Sequence, residues 1–496
     1  MAITIISNFT SGKFYPSANP INTTVTSNNS GKCNFRYICD LYVNGTKVFT
    51  DKIFPDPNTG HGFFLLSRVL QDYITTVSVT NTSTTFNLAA ATAAPTAALS
   101  VYCRFGEEYD SSVNCDGTVL QYTNLATSTT FYVYEGAFDY EDYPSYNFSN
   151  YIMGTASATA SKLFLTNSPR EIEVTYNDSY YLDFLSLQTI TSAHRMYIEW
   201  TYKDGTSLAT WIPSTTLSNV RRYRLAVGPV NINKVYAATI IGQDVTSYKI
   251  WLAYNGIRQS EYFYFKVKDP KTFTTRLSFV GLLGGIESFT FYHRNSKSFS
   301  IDRKSYERTI GRNISNVWSY NVGDRGTTTY KISASEQHKV ATYCSRDMSE
   351  WLYEMWLSPD VWTYRRPEIQ QIRIYDEAGT YTGVPDSRIL FWVNDTTGLA
   401  AGDYIFVVPE YISGYAEFQG RFLILSINGN IVDVGATYAS YFPPHELCAY
   451  IYKDTTFDRL PVVVADNNIE VKQKTTKPIE YSLSYQMAYS KNTLRG

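Results

Sequence analysis

An arginine cluster, a carboxylate cluster and a crowd of tyrosines are the parts of this sequence with the most chemistry in them. Arg221, Arg222 and Arg224 fall in one short stretch that otherwise reads as a strand. On a strand, Arg222 and Arg224 share a face and Arg221 opposes them. That pair suits a phosphate contact, so one expectation is a DNA-facing position. The plainer alternatives are a salt bridge between subunits or a charged edge that blocks unwanted strand pairing. Asp139, Glu141 and Asp142 lie within 135–151, interleaved with Tyr140, Tyr143 and Tyr146. A glycosidase needs two carboxylates facing each other across a cleft, and a dedicated calcium loop needs a D-x-D-x-D-G order that is missing here. We therefore read the stretch as a solvated interaction loop, with Tyr140, Tyr143 and Tyr146 as interface residues. Trp351 and Trp356 fall in 347–357, the best helical pattern in the chain, with Met348, Trp351, Leu352 and Met355 at i, i+3, i+4 and i+7. Trp351 is then a core residue. Trp356 points toward another face and is a second candidate interface residue.

No other constellation points to catalysis. His61, His194, His293, His338 and His445 are scattered, so a zinc site would have to gather its ligands from distant loops. No G-x-S-x-G, P-loop or G-x-G-x-x-G motif occurs. The nearest glycine cluster, 281–285, joins two strands and so lacks the helix N-terminus that binds phosphate; it reads as a tight turn needing positive φ. The cysteines form no C-x-x-C pair. Cys103 and Cys115 are spaced to close a hairpin disulfide, while the plainer reading is reduced thiols in cores, made in a reducing cytoplasm. The expectation is a protein with no enzymatic activity, no metal and no cofactor.

The elements that must position these residues are strands. The chain has 496 residues, too many for one core, and 18% charged residues, with a net charge of −2. That balance excludes a strongly basic nucleic-acid binder and an acidic tail. Aromatics reach 16%, 43 of those residues being Tyr, a composition that suits polar but uncharged strand faces and disfavours helical bundles, coiled coils and disorder. No stretch approaches the length of a membrane helix, and no secretory signal is visible at the start. Alternating runs separated by turn signals predict an all-β fold of tandem, Ig-like β-sandwich domains with few short helices. We expect an N-terminal sandwich over 1–95, a linker at 88–98, a second β-rich domain with the Tyr-rich loop over 96–188, a third sandwich over 189–310, and a C-terminal domain over 311–496 with a small barrel-like insert at about 381–454. Within these, Asn44-Gly45 and Asn255-Gly256 predict tight hairpins, 64–73 predicts a helix, 78–86 and 235–241 predict strands, and Asp347 with Glu350 resembles a capping box.

Three blocks of sequence go further. The first is MAITIISN, YPSANPI, NFRYICDLYVNGTKV and PDPNTGHGFFLLSRVLQDYI near the start. The second is TRLSFVGLLGGIESFTFYHR with SFSIDRKSYER. The third is SEWLYEMWLSPDVW with LPVVVADNNIEVKQKTTKPIEYSLSYQMAYSKN. In these segments the chain resembles structural proteins of tailed phages infecting Bacteroides, especially the crAss-like phages. The resemblance covers parts of the first, third and last expected domains, not 96–188 or the insert, and offers no active-site residues to carry over. It implies a virion component of the neck or tail ring (hub) assembly attached to the portal, made in the host bacterial cytoplasm. Its partners would be copies of itself in a ring, other neck and tail proteins and the portal, with genomic DNA close by in the lumen and no insertion into a membrane. The alternative is a tail-fibre or receptor-binding protein recognising host surface glycans. A glycan-cleaving depolymerase would need a paired-carboxylate cleft that the sequence does not reveal.

Overall fold

A computed structural model describes residues 3–74, 98–110, 115, 120–139, 141, 143, 148–154, 158–175, 178–213, 222–236, 240–242, 244–268, 274–307, 309–320, 326–364, 368–375, 388–393, 396, 399–409, 420–437, 445–453, 459–465 and 479–488. The fold is all-β: strands in several sheets, with short helices between them. The chain divides into two compact units, each built from separated pieces of sequence. Unit 1 comprises Met1–Pro270, Val280–Glu287 and Arg366–Phe457; unit 2 comprises Lys271–Phe279, Ser288–Arg365 and Asp458–Gly496.

In unit 1, strand Arg36–Val43 turns at Asn44 (φ 50) and Gly45 (φ 83) into Thr46–Ile53, as the Asn-Gly pair predicts: a two-residue turn with both φ positive matches the twist of the strands it joins. The other neighbour of Arg36–Val43 is Ala98–Asp110, which lies beyond the expected linker. Tyr37, Cys39 and Leu41 share one buried cluster with Leu99, Val101, Cys103 and Phe105. The boundary expected at 95/96 therefore does not separate two cores. A side chain of Phe105's size, fully buried, contributes roughly 1.5–3 kcal/mol relative to exposure. The boundary at 188/189 is bridged as well, because Glu171–Thr175 pairs in parallel with Phe263–Lys268. The predicted linker up to residue 97 and the strand at 78–86 lie outside the described residues.

Two local readings are corrected. The helix expected over 64–73 is only Ser67–Gln71, and Gly62–Leu65 is an edge strand on Asn22–Ser27, where Phe64 enters the core while Phe63 and Leu65 face out. The strand expected at 235–241 gives way to a helix, Pro229–Tyr236, opened by a proline whose missing N–H costs a first turn nothing. The insert begins earlier than expected, at strand Glu368–Tyr375, and forms one seven-stranded sheet ending with His445–Lys453.

Unit 2 is organised around another seven-stranded sheet. Its spatial order is Ile286–Phe291, Thr275–Val280, Val361–Tyr364, Arg459–Val464, Ile479–Met487, Thr327–Cys344, Arg294–Glu307. It bridges the expected boundary at 310/311. The helical pattern at 347–357 is two short helices, Arg346–Leu352 and Glu354–Leu357, with Trp351 buried against Phe279 and Phe289. The cap is Ser345 rather than Asp347: its Oγ accepts from the Met348 N–H at 3.3 Å, and Asp347 sits in the first turn, where its charge favours the helix dipole. Ser345→Ala should lower stability by about 1 kcal/mol in chemical denaturation, and Ser345→Asp should restore most of it.

Candidate functional site

The arginine pair is not a surface feature. Arg222 and Arg224 lie on strand Arg222–Ala226, whose antiparallel neighbour Tyr181–Ser186 puts Asp183 directly opposite Arg224 and Leu185 opposite Arg222. Both arginines therefore reach the same carboxylate. Arg224 donates from Nε to Asp183 Oδ1 at 2.6 Å and from Nη2 to Oδ2 at 2.8 Å. Arg222 donates to Oδ2 from Nε at 3.0 Å and from Nη2 at 2.7 Å, and its Nη2 also donates to the Gly284 carbonyl. Glu135 approaches Arg222 Nη1 at 3.9 Å. The side chains of Arg222, Arg224 and Asp183 are 0%, 1% and 0% exposed. The DNA-facing reading of Arg222 and Arg224 is thus corrected: these guanidiniums are sealed in the interior and held by Asp183. They share a face, as their spacing predicts, but it is the inner one. Burial alone would push the Asp183 carboxyl up; the positive charges of Arg224 and Arg222 outweigh it and hold the group below the usual carboxylate range. Arg221 lies outside the described residues.

The tyrosine loop is only partly described. Tyr140 and Tyr146 lie outside the described residues. Tyr143 is half-buried: its ring meets Phe148 edge-on at 6.4 Å, its hydroxyl donates to the Pro20 carbonyl at 3.4 Å, and it packs on a cluster containing Phe14, Tyr134 and Tyr151. Burial pushes its phenol up to about 12. Tyr143 is therefore partly used by the chain's own core. Trp356 is likewise held within unit 2, its ring meeting Tyr481 edge-on at 4.7 Å.

A disulfide joins Cys33 to Cys115, whose Cα atoms are 5.1 Å apart. This corrects both sequence readings, the Cys103–Cys115 hairpin bridge and the full set of reduced thiols. Cys103 is instead buried beside Cys39 in the core. The partners are 82 residues apart in sequence, and local spacing holds no signal for such a pairing. Thiol titration of the protein denatured without reductant should find two fewer thiols than after reduction, and Cys33→Ser should abolish the difference.

The most prominent surface in unit 2 is an arm. Strand Arg294–Glu307 pairs with Thr327–Cys344 along its whole length, from Arg294 opposite Ala341 to Glu307 opposite Thr327. The next strand, Ile479–Met487, supports only the base, from Cys344 to Gln337. Beyond Gln337 the pair is a two-stranded ribbon, and residues 295–307 are exposed throughout. Alternation puts Phe299 and Ile301 on one side, 56% and 54% exposed, and Ser298, Ser300 and Asp302 on the other. A further hairpin, Arg312–Ile314 with Val317–Ser319, carries Val317, Trp318 and Tyr320 at 65%, 55% and 65% exposure. Its turn residues, Ser315 and Asn316, both have positive φ without being glycine. The alternating SFSIDRKSY at 298–306 was the signal available in the sequence. Its partner is a single strand of 18 residues, Thr327–Cys344, whose length no local alternation in the sequence marks.

Unit 1 has a second exposed feature, on the outer face of the sheet ordered Glu171–Thr175, Phe263–Lys268, Val245–Tyr254, His194–Tyr202, Ser207–Pro213. The register sets Trp211, Tyr197 and Trp251 side by side on three adjacent strands. Tyr197 and Trp251 are offset-stacked at 5.3 Å, Tyr262 meets Trp251 edge-on at 5.3 Å, Arg195 caps Trp211 at 3.9 Å and Arg258 caps Tyr262 at 4.3 Å. The clean alternation of 196–202 was legible in the sequence, but the cross-strand row was not.

Among the described residues, no group of three or more His, Cys, Asp or Glu could hold a metal ion, and no helix is long and apolar enough to cross a membrane. No protein-family model matches the chain, and no curated protein matches it.

Proposed function

We propose that the chain is a structural subunit of a tailed-phage virion, forming part of the neck or tail ring assembly attached to the portal and acting by protein–protein contact around the DNA channel. The observation that supports this is the arm. A two-stranded ribbon is marginal in water on its own, and one that leaves Phe299 and Ile301 in solvent, with a hairpin between its strands in sequence that leaves Val317, Trp318 and Tyr320 there, gains by being covered. Assembly into a symmetric homo-oligomer supplies that cover from copies of the same chain, and stacking on other neck and tail proteins supplies it from neighbours. The resemblance of 275–294 and 298–308 to structural proteins of crAss-like phages falls on this sheet and, up to residue 307, on the arm itself. The assembly role needs no catalytic group.

Light scattering on the purified chain, with electron microscopy of its assemblies, tests the reading. The unsubstituted chain should form a closed ring wide enough for DNA. The double substitution Ile301→Asp, Trp318→Asp should leave monomers with unchanged stability, because exposed positions usually shift it by less than about 0.5 kcal/mol. A chain that stays monomeric at every concentration, or rings that survive the double substitution, would remove the arm as support. A second reading, recognition of host surface glycans, is favoured by the aromatic row of unit 1.

A further inference from the structure

The aromatic row and its two capping arginines form a track whose neighbours are all accounted for, and this narrows what it fits. Trp211, Tyr197, Trp251 and Tyr262 follow one another across four chain segments of one sheet. At an inter-strand spacing of about 4.8 Å, the row is about 14 Å long and one residue wide. On one side runs the paired row of Glu199 and Lys249, at 2.9 Å. On the other side Arg195, Ala253 and Arg258 stand directly opposite one another on adjacent strands, which spaces the arginine backbones about 10 Å apart with only a methyl between them.

The charges on this face are unevenly used. Lys249, Lys266 and Lys268 are each paired with a glutamate, Glu199, Glu171 and Glu173. Arg195 and Arg258 have no carboxylate partner among the described residues. Arg258 donates from Nη2 to Ser161 Oγ at 3.1 Å, and the Nε of each arginine is buried without a hydrogen-bond acceptor. With Nε enclosed, the terminal Nη groups of each guanidinium are the ones placed to donate charge-assisted hydrogen bonds to a carboxylate.

We infer that this face binds an acidic polysaccharide, a chain of sugar rings carrying carboxylates. The apolar C–H faces of the sugars lie along the aromatic row, and carboxylates on spaced sugars meet Arg195 and Arg258. A folded protein partner fits less well, since a stable protein interface covers about 20–30 residues a side, whereas this apolar row is one residue wide between charged flanks. Single-stranded nucleic acid needs a groove rich in unpaired cations, and here Lys249, Lys266 and Lys268 are each paired with a glutamate. The inference extends the glycan reading and stands or falls apart from the assembly reading, because the row belongs to unit 1 and the arm to unit 2.

Electrophoresis of the full chain through gels containing polygalacturonate or neutral dextran tests it. Polygalacturonate should retard the chain and dextran should not. Arg195→Gln with Arg258→Gln should weaken the retardation at least tenfold while the melting temperature holds. Trp211→Ala, at an exposed position, should weaken it several-fold, which guards against loss of binding through misfolding. Absence of retardation, equal retardation by dextran, full retention in the double variant, or stronger binding of an oligothymidylate would each overturn the assignment. Self-association that is lost in the double variant, without retardation, would assign the face to a second copy of the chain instead.

Discussion

Asp183→Asn should destabilise the protein by about 3–5 kcal/mol, the cost of leaving buried charge uncompensated. The substitution keeps the shape of the side chain and removes only its charge. Arg222 and Arg224 then remain in the interior, 0% and 1% exposed, with no full negative charge between them. Their mutual repulsion, now unscreened, adds to the desolvation that Asp183 had offset. Denaturant titration followed by intrinsic fluorescence reads the loss directly. The pH dependence has a definite sign. The native Asp183 carboxyl lies below its ordinary range, so its contribution is complete above the unfolded value of about 3.9 and disappears as pH falls through the native value. The gap between the two proteins should therefore be widest near neutrality and narrow in acid below about pH 4. A gap independent of pH would mean that shape rather than charge is at work. Replacing all three residues together, Asp183→Leu with Arg222→Met and Arg224→Met, should recover most of the loss, since packed apolar side chains of similar volume need no counter-charge.

The second large effect is expected at Gly284, whose carbonyl accepts from Arg222. Gly284 has φ 83, and a methyl group there would stand well inside contact distance of the Glu135 backbone carbonyl. The conformation alone costs a non-glycine residue about 1–2 kcal/mol. A backbone oxygen cannot swing aside as a side chain can, so the turn must move and take its carbonyl away from the guanidinium, losing a charged hydrogen bond of about 1.5–3 kcal/mol. Gly284→Ala should therefore cost about 2.5–5 kcal/mol in all. Gly205 is the control. It has nearly the same φ, 85, with nothing near the added carbon, so Gly205→Ala should show the conformational cost alone. Equal losses at the two sites would show that the contact with Glu135 relaxes freely.

Where structure is set by neighbours in sequence, the sequence was a good guide. Asn44-Gly45 and Asn255-Gly256 form the turns their φ preferences dictate, the alternation of 196–202 is a strand, and the glycine cluster at 281–285 is a tight turn with Gly284 at positive φ. Errors arose where a partner distant in sequence decided the outcome. Phe64 and Leu65 fit a helical spacing, but the open edge of Asn22–Ser27 captured them as a strand. Arg222 and Arg224 announce a charged face, but only the register with 181–186 reveals that Asp183 stands there and that the face is inward. Strands likewise pair across each of the expected domain boundaries. Tyr143 is expected at an interface as one of a crowd of loop tyrosines, and Trp356 because it lies toward a different helix face from Trp351. Both prove to be half-used, anchored by Phe148 and Tyr481, while Phe299 and Ile301 stand in solvent on an arm whose length no local pattern announces.

The strand order of unit 2 also sets a timetable. Strands Arg459–Val464 and Ile479–Met487 are made after the others in that sheet, yet they occupy its middle, between Val361–Tyr364 and Thr327–Cys344. A chain still on the ribosome holds two sheet fragments that no strand pairing yet joins, and the ribbon that becomes the arm lacks the neighbouring strand at its base. Pairings between such distant segments form slowly and late. A chain stopped before residue 459 should then be captured by chaperones or proteases. On the assembly reading proposed above, the placement would act as an inspection step, because the arm becomes rigid only after synthesis has passed residue 487.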